Sequence, residues 1–191
     1  MLLLDEMIEY NKKFVENKEY EKYRTSKLPN KKLVVVSCMD TRLTELLPKA
    51  MNLRNGDAKI LKTAGAVVSH PFGSIMRSII VAIYELNAHE VCVVGHHDCG
   101  MVHINPDETT RKMISRGISE QTISTLDYAG INLNDWLRGF DSVAENVRQS
   151  VGVIRRHPLI PQEIPVHGLV IDPETGELDV IENGYTGSIT S

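Results

Sequence analysis

The chain has 191 residues, of which 42% are hydrophobic and 24% charged, and this length and composition are those of one globular domain. The formal net charge is -4, without a basic run, which argues against a nucleic-acid partner. The apolar stretches are too short to span a bilayer, so no membrane partner is expected either.

The N-terminus and the cysteines predict a cytoplasmic protein. Residues 1–6 lack the basic start and the long apolar run of a secretory signal. The three cysteines, Cys38, Cys92 and Cys99, are few and odd in number, which argues against a disulfide framework. Metal binding and thiol chemistry therefore stay open for these side chains.

The first elements alternate between helices and strands. Residues 2–24 predict one amphipathic helix, which Leu28-Pro29-Asn30 ends. Leu33–Ser37 is a continuous, mostly β-branched run, typical of a strand buried on both faces of a parallel sheet. After a short helix, Ala58–Lys62 predicts a second and weaker strand.

The middle of the chain continues this alternation. The apolar residues from Phe72 to Leu86 follow the helical period, and Val91–Gly95 predicts a third buried strand. Glycines interrupt residues 105–139, where we predict no boundaries. The order of these elements indicates an α/β fold.

The last elements predict a helix and a hairpin. Ser142 and Glu145 form a capping-box pattern at the start of a helix that Pro158 ends. Val166–Ile171 and Glu177–Ile181 predict an antiparallel pair around a turn, and residues 185–191 a loose tail. We therefore expect one domain over residues 1–191, with a central, mainly parallel sheet of order 2-1-3-4, an antiparallel edge strand and flanking helices.

Two short motifs carry the chemistry. Residues 38–42 read Cys-Met-Asp-Thr-Arg and follow the first strand, whereas residues 96–100 read His-His-Asp-Cys-Gly and follow the third. In open α/β sheets, ligand sites form at the carboxyl ends of strands where the strand order reverses. A strand order of 2-1-3 would make these two strand ends neighbours.

The donor types in these motifs favour one catalytic zinc ion per chain. Cys38, His96 and Cys99 are good zinc ligands, and three protein ligands leave a fourth position open. Two thiolates cancel the charge of the ion, so a bound water needs help to ionise near neutral pH and to point correctly.

Asp40 and Arg42 can give that help. The Asp40 carboxylate can accept a hydrogen bond from a zinc-bound water or hydroxide, and Arg42 can hold it off the metal by a bidentate ion pair. Our hypothesis is that Asp40 also ligates the zinc in a closed state, which low pH favours.

Together the two motifs resemble the signature of the β-class carbonic anhydrases, in particular the short bacterial and archaeal members. The resemblance runs from about Leu33 to Ile181 and includes the loop 62–66, where Lys62-Thr63 stand in place of the family's frequent Arg-Asn. It implies zinc on Cys38, His96 and Cys99, and it implies Asp40 and Arg42 as the catalytic pair.

The resemblance also implies the reaction and the assembly. The expected reaction is the reversible hydration of carbon dioxide to bicarbonate and a proton by zinc-bound hydroxide. Gly65, Ala66 and Gly100 are expected to bind substrate. A homodimer or higher homo-oligomer is expected, with residues 1–30 forming a helical arm that reaches a partner subunit.

Other interpretations remain beside this one. The same site could act on carbon disulfide or carbonyl sulfide, or belong to a non-catalytic zinc-binding relative. A thiol phosphatase would need more residues between Cys38 and Arg42 and a glycine-rich loop. Cys92 is predicted to be a core residue, and no histidine is assigned as a proton shuttle.

Overall fold

The computed structural model describes residues 2–187, which form a five-stranded sheet with the order β2-β1-β3-β4-β5. The first four strands in this order are parallel, and β5 pairs antiparallel with β4 at the edge. The predicted order and the antiparallel edge are therefore confirmed. The strands are β1 (Leu33–Cys38), β2 (Ala58–Thr63), β3 (Glu90–His96), β4 (Val166–Ile171) and β5 (Leu178–Glu182).

Helices cover both faces of this sheet. One face packs under α3 and α7 around residues such as Ile79 and Val147, and the other packs under α2 around Leu43 and Leu47. Burial on both faces explains the continuous apolar run of β1. The helices are α1 (Leu3–Glu16), α2 (Leu43–Ala50), α3 (Ser74–Tyr84), α4 (Pro106–Ser115), α5 (Glu120–Tyr128), α6 (Leu133–Leu137) and α7 (Val143–Arg155).

The register of β1 and β3 positions the two motifs. Ser37 pairs with Val94, so the carboxyl ends of these neighbouring strands meet at the same edge of the sheet. Cys38 ends β1 and His96 ends β3, which places the start of each motif at this edge.

The predicted single helix over residues 2–24 is wrong beyond Glu16. Lys18 has a left-handed backbone (φ 55°), and a separate 3-10 turn follows at Glu19–Tyr23. No residue of α1 is buried, so the amphipathic pattern finds no core that would hold a longer helix together.

Other boundaries differ by a few residues from those predicted. The third helix begins at Ser74 rather than Phe72, whose backbone N–H donates to His70 Nδ1 in the preceding turn. Residues 105–139 contain α4, α5 and α6. Ser142 caps α7 as predicted, because its Oγ accepts from the backbone N–H of Glu145 at 3.3 Å.

The C-terminal segment contains a short 3-10 turn, Gly184–Gly187. Here the Tyr185 hydroxyl donates to Glu90 Oε2 at 2.8 Å. The rest of the predicted loose tail, residues 188–191, lies outside the described residues. Within residues 2–187, none of the helices combines the length and the apolar character that crossing a bilayer requires.

Candidate metal centre

Three buried side chains converge where β1 and β3 end. Cys38 and His96 are the last residues of these strands, and Cys99 directly precedes a 3-10 turn, Gly100–His103. The two sulfur atoms lie 4.0 Å apart, and the donor atoms of all three residues lie within 4.8 Å of one another. The structure thus brings together the three residues that were predicted to share one metal ion.

The ring of His96 is oriented as a metal ligand. Its Nδ1 lies 2.7 Å from the backbone carbonyl of His97, which can only accept, so the proton is on Nδ1. The other nitrogen, Nε2, is fully buried and lacks a hydrogen-bond partner. A buried lone pair without a partner is costly in a protein interior, whereas a metal ion would satisfy it.

The two thiols differ in their tendency to ionise. Burial opposes ionisation of Cys38, but the adjacent His96 ring and the backbone of Asp40 and Gly65 outweigh it and lower its pKa to about 7. Burial is the main cause that raises the pKa of Cys99 to about 11, and the nearby Cys38 adds to the effect. Cys38 therefore ionises more readily than Cys99, and two adjacent thiolates would repel each other.

This donor set fits zinc. With Zn–S bonds of about 2.3 Å, two sulfurs on one tetrahedral ion lie about 3.8 Å apart. The observed separation of 4.0 Å is close to that value. A dication would also remove the repulsion between two thiolates, and three donors leave one coordination position for another group.

Asp40 lies beside this group and is held by Arg42. Arg42 Nε donates to Asp40 Oδ1 at 3.1 Å, and Arg42 Nη2 donates to Asp40 Oδ2 at 2.9 Å. The hydrogen bonds from Arg42 lower the pKa of Asp40 to about 2, so the carboxylate stays charged near neutral pH. Asp40 Oδ2 is 3.7 Å from His96 Nε2, which places a fixed acceptor next to the three donor atoms.

Asp98 is a site residue that sequence reasoning missed. Arg42 Nη1 donates to Asp98 Oδ2 at 3.1 Å, and Arg42 Nη2 donates to the Asp98 backbone carbonyl at 3.2 Å. Asp98 has a left-handed backbone (φ 53°), which turns its carboxylate toward the first motif. Its position inside the second motif was a signal, but spacing alone did not indicate Arg42 as its partner.

A cavity of about 480 Å³ opens beside the donor atoms. Gly65 and Gly100 line it, as do the apolar side chains of Met101 and Ile104. Ala66 does not line this cavity, because its side chain is fully buried in the core around α3 and α7. A larger cleft of about 520 Å³ lies among α4, α5 and α6 and is lined by none of the donor residues.

The side chains of two residues near the motifs, Cys92 and His97, lie outside the group of donor atoms. Cys92 is buried in the middle of β3, where burial raises the pKa of its thiol to about 12. His97 is exposed, and its Nε2 lies 3.5 Å from Asp179 on β5.

Known proteins are similar to this chain in sequence and in fold. Residues 33–178 match the family described as carbonic anhydrase. YtiB, a Bacillus subtilis (strain 168) protein named as a carbonic anhydrase candidate, is 62% identical over 185 residues, which cover 97% of this chain and 99% of YtiB.

A solved structure and a more distant relative are also similar to this chain. The β-carbonic anhydrase isoform I of Trichomonas vaginalis has a TM-score of 0.87 and 34% identity, covering 97% of this chain and 100% of that protein. A protein named carbon disulfide hydrolase, from Acidithiobacillus thiooxidans, is 26% identical over 157 residues, which cover 78% of this chain and 76% of that protein.

Proposed function

Since this chain belongs to the β-carbonic anhydrase family, we propose that it catalyses the reversible hydration of carbon dioxide to bicarbonate and a proton at one zinc ion per chain. The observation that carries the proposal is the buried group Cys38, His96 and Cys99, with donor atoms within 4.8 Å of one another. The buried His96 Nε2, which lies beside the two sulfurs without a hydrogen-bond partner, supports its assignment as a metal ligand.

In this proposal the two sulfurs and His96 Nε2 would hold the ion. Bound zinc would supply a Lewis acid that lowers the pKa of a water ligand toward neutrality. The Nδ1 hydrogen bond to the His97 carbonyl fixes the ring so that Nε2 keeps facing the two sulfurs.

Asp40 would accept the hydrogen bond that orients the attacking water. Its carboxylate is charged and close to the donor atoms, and two hydrogen bonds from Arg42 keep it in one orientation. The same ion pair would keep Asp40 from occupying the open coordination position, because ligation in the closed state would require it to leave Arg42. Asp40 and Arg42 are therefore the proposed catalytic pair.

The cavity suits a small apolar substrate. Apolar surface predominates among its lining residues, including Ala64, Met101 and Ile104. Carbon dioxide carries no net charge, so these side chains can hold it next to Asp40 without a charged partner. We propose Gly65 and Gly100 as substrate-lining residues and leave Ala66 out, because it is buried elsewhere.

The experiment is stopped-flow carbon dioxide hydration by the zinc-loaded protein and two variants. Removing a positioned acid–base group typically costs about 100-fold or more in rate, so Asp40→Asn should lower kcat by about that factor and keep its zinc. The matched control, Asp127→Asn, removes an exposed carboxylate on α5 and should retain the wild-type rate. A wild-type protein that binds zinc but hydrates no carbon dioxide would refute the proposed reaction.

Carbon disulfide hydrolysis is the second candidate. It is favoured by the relative named carbon disulfide hydrolase and by a cavity that is mostly apolar. Carbon disulfide is also a small linear electrophile, so pocket access decides between the two gases. Measuring carbon disulfide consumption by the same preparation distinguishes them, because a carbonic anhydrase of this kind should turn over carbon dioxide far faster.

We also propose a single-domain, cytoplasmic homo-oligomer in which residues 1–30 form an arm on a partner subunit. The support for the arm is its exposed apolar surface, since no residue of α1 is buried. Three free cysteines support the compartment, because free thiols persist in a reducing environment. The exposed apolar residues of this arm are Leu2, Leu3, Leu4, Met7, Ile8, Tyr10, Val15, Tyr23 and Leu28.

A further inference from the structure

Two polar side chains interrupt the apolar face of α7. Asn146 and Ser150 are 5% and 2% exposed, and they lie one turn apart on the helix. Their neighbours Val147, Val151 and Ile154 are fully packed core residues. Buried polar groups on a core face are costly unless they have hydrogen-bond partners. The partners of Asn146 and Ser150 therefore indicate what these side chains hold in place.

Both side chains bind the loop that follows β2. Asn146 Nδ2 donates to the Gly65 carbonyl at 2.9 Å. Ser150 Oγ accepts from the Val68 N–H at 3.0 Å and lies 3.5 Å from the Ala66 carbonyl, to which it can donate. Two residues of one helix therefore hold the backbone of three loop residues.

This loop has a conformation that needs such support. Gly65 and Ala66 both have left-handed backbones, with φ of 67° and 57°, and alanine rarely adopts that region. A side chain at position 65 would also collide with its surroundings, since an added Cβ would lie 2.6 Å from Phe140. The hydrogen bonds from α7 fix the carbonyls of these two residues and so hold the turn.

Gly65 connects the loop to the metal centre. It lines the cavity beside the donor atoms together with Cys38, and its backbone is close enough to the Cys38 sulfur to help lower the pKa of that thiol. The groups that surround a metal ligand fix its orientation and basicity. A shift of the Gly65 backbone would therefore act on Cys38 without any direct contact between α7 and the metal.

We propose that Asn146, assisted by Ser150, is a positioning residue of the metal centre, which holds the Gly65 turn against Cys38. The inference rests on the proposed zinc site and adds to it a residue that touches neither metal nor substrate. Asn146 acts through the Gly65 carbonyl, and Ser150 acts through Ala66 and Val68.

The test compares Asn146→Leu with Val151→Ala in the full chain. Leucine keeps the branched skeleton of asparagine, although it is larger, and leaves the Gly65 carbonyl without its partner. Val151→Ala loosens the same helix away from the loop. The readouts are zinc affinity by chelator competition and the visible absorption of the cobalt-substituted protein. Loss of a group that directly supports a metal ligand typically costs about 10- to 100-fold in metal affinity. Asn146 acts through Gly65, so for Asn146→Leu we expect the lower end of that range, about 10-fold, together with shifted cobalt bands.

Val151→Ala should keep the wild-type zinc affinity and cobalt spectrum. Ser150→Ala is the second variant, should Asn146→Leu not fold, and we expect it to change both readouts in the same direction. Wild-type affinity and spectrum in the asparagine or serine variant would overturn the proposal, as would an equal change in Val151→Ala. A wild-type protein that binds zinc but lacks carbon dioxide hydration would refute only the proposed reaction, whereas one that binds no zinc would overturn both.

Discussion

Arg42 Nη1 lies 3.1 Å from Asp98 Oδ2, so the arginine that holds Asp40 is itself anchored to the loop that carries Cys99. A second bond, from Arg42 Nη2 to the Asp98 carbonyl, strengthens this link between the two motifs. The guanidinium thus spans both loops that contribute the donor atoms. Its fork geometry allows paired hydrogen bonds to Asp40 together with bonds to Asp98, an arrangement that the single ammonium of a lysine does not reproduce.

Asp98→Asn should lower activity only slightly. Asp98 is 77% exposed and solvent screens its ion pair, so kcat/KM should fall by about two- to fivefold. Its backbone carbonyl still accepts from Arg42, and the zinc content should not change. Arg42→Lys should cost more than Asp98→Asn, because it removes the paired hydrogen bonds to Asp40. Equal losses in the two variants would contradict this order.

Zinc affinity should increase with pH. Burial raises the pKa of Cys99 to about 11, and the adjacent Cys38 sulfur raises the pKa of His96. These groups must lose their protons to bind a metal, so protons compete with zinc and binding releases them. Competition with a chelator of known affinity, at pH 6 and pH 8, should give the tighter constant at pH 8. A constant that does not change with pH would contradict the proposed ligands.

The cysteines should separate into ligands and a core residue. Cys38→Ser and Cys99→Ser should each abolish stoichiometric zinc uptake, because each removes one of three protein ligands. Cys92→Ala is the matched control, since Cys92 is equally buried but lies within β3. Zinc analysis of the purified variants checks this, and loss of zinc in Cys92→Ala would indicate a general folding effect.

The arm of residues 1–30, which contains α1, should be required for assembly. Light scattering of the wild-type protein should give the mass of a dimer or a larger oligomer. Leu4→Lys places a charge on the exposed apolar surface and should shift the mass toward the monomer, whereas Glu6→Lys on the same helix should not. A monomeric wild-type protein would refute the arm.

His167 should make stability depend on pH below neutrality. Burial is the main cause that lowers the pKa of His167 in the folded protein, whereas in the unfolded chain it is about 6.5. Below that pH the unfolded chain binds a proton that the folded one resists, so the free energy of unfolding falls as pH falls. When the free energy of unfolding is measured in urea between pH 5 and pH 8, it should change less with pH in His167→Gln than in the wild type. The control His89→Gln, at an exposed position, should keep the wild-type dependence of this free energy on pH.

The sheet and the donor set could be predicted from the sequence because their signals are local. The β-branched run of β1 indicates a buried parallel strand, and a motif that directly follows it must lie at the sheet edge. Once the neighbours of β1 were predicted, the meeting of Cys38 with His96 followed from the strand order.

Other features depend on contacts between distant segments. The end of α1 at Glu16 reflects the lack of buried residues on this helix, and the burial of Ala66 reflects the core residues of α3 and α7 around it. The periodicity of the sequence reports neither of these. Asn146 and Ser150 are hydrogen-bonded to a loop about 80 residues away in the chain. The partnership of Asp98 with Arg42 likewise needed a backbone turn that only the folded chain shows.

X-ray absorption at the zinc edge of the metal-loaded protein tests the central claim most directly. Two sulfur neighbours at about 2.3 Å, one imidazole nitrogen at about 2.0–2.1 Å and one light atom in the remaining position are the result we predict. Three sulfur neighbours, two imidazoles, or a purified protein that takes up no zinc would contradict a shared ion on Cys38, His96 and Cys99.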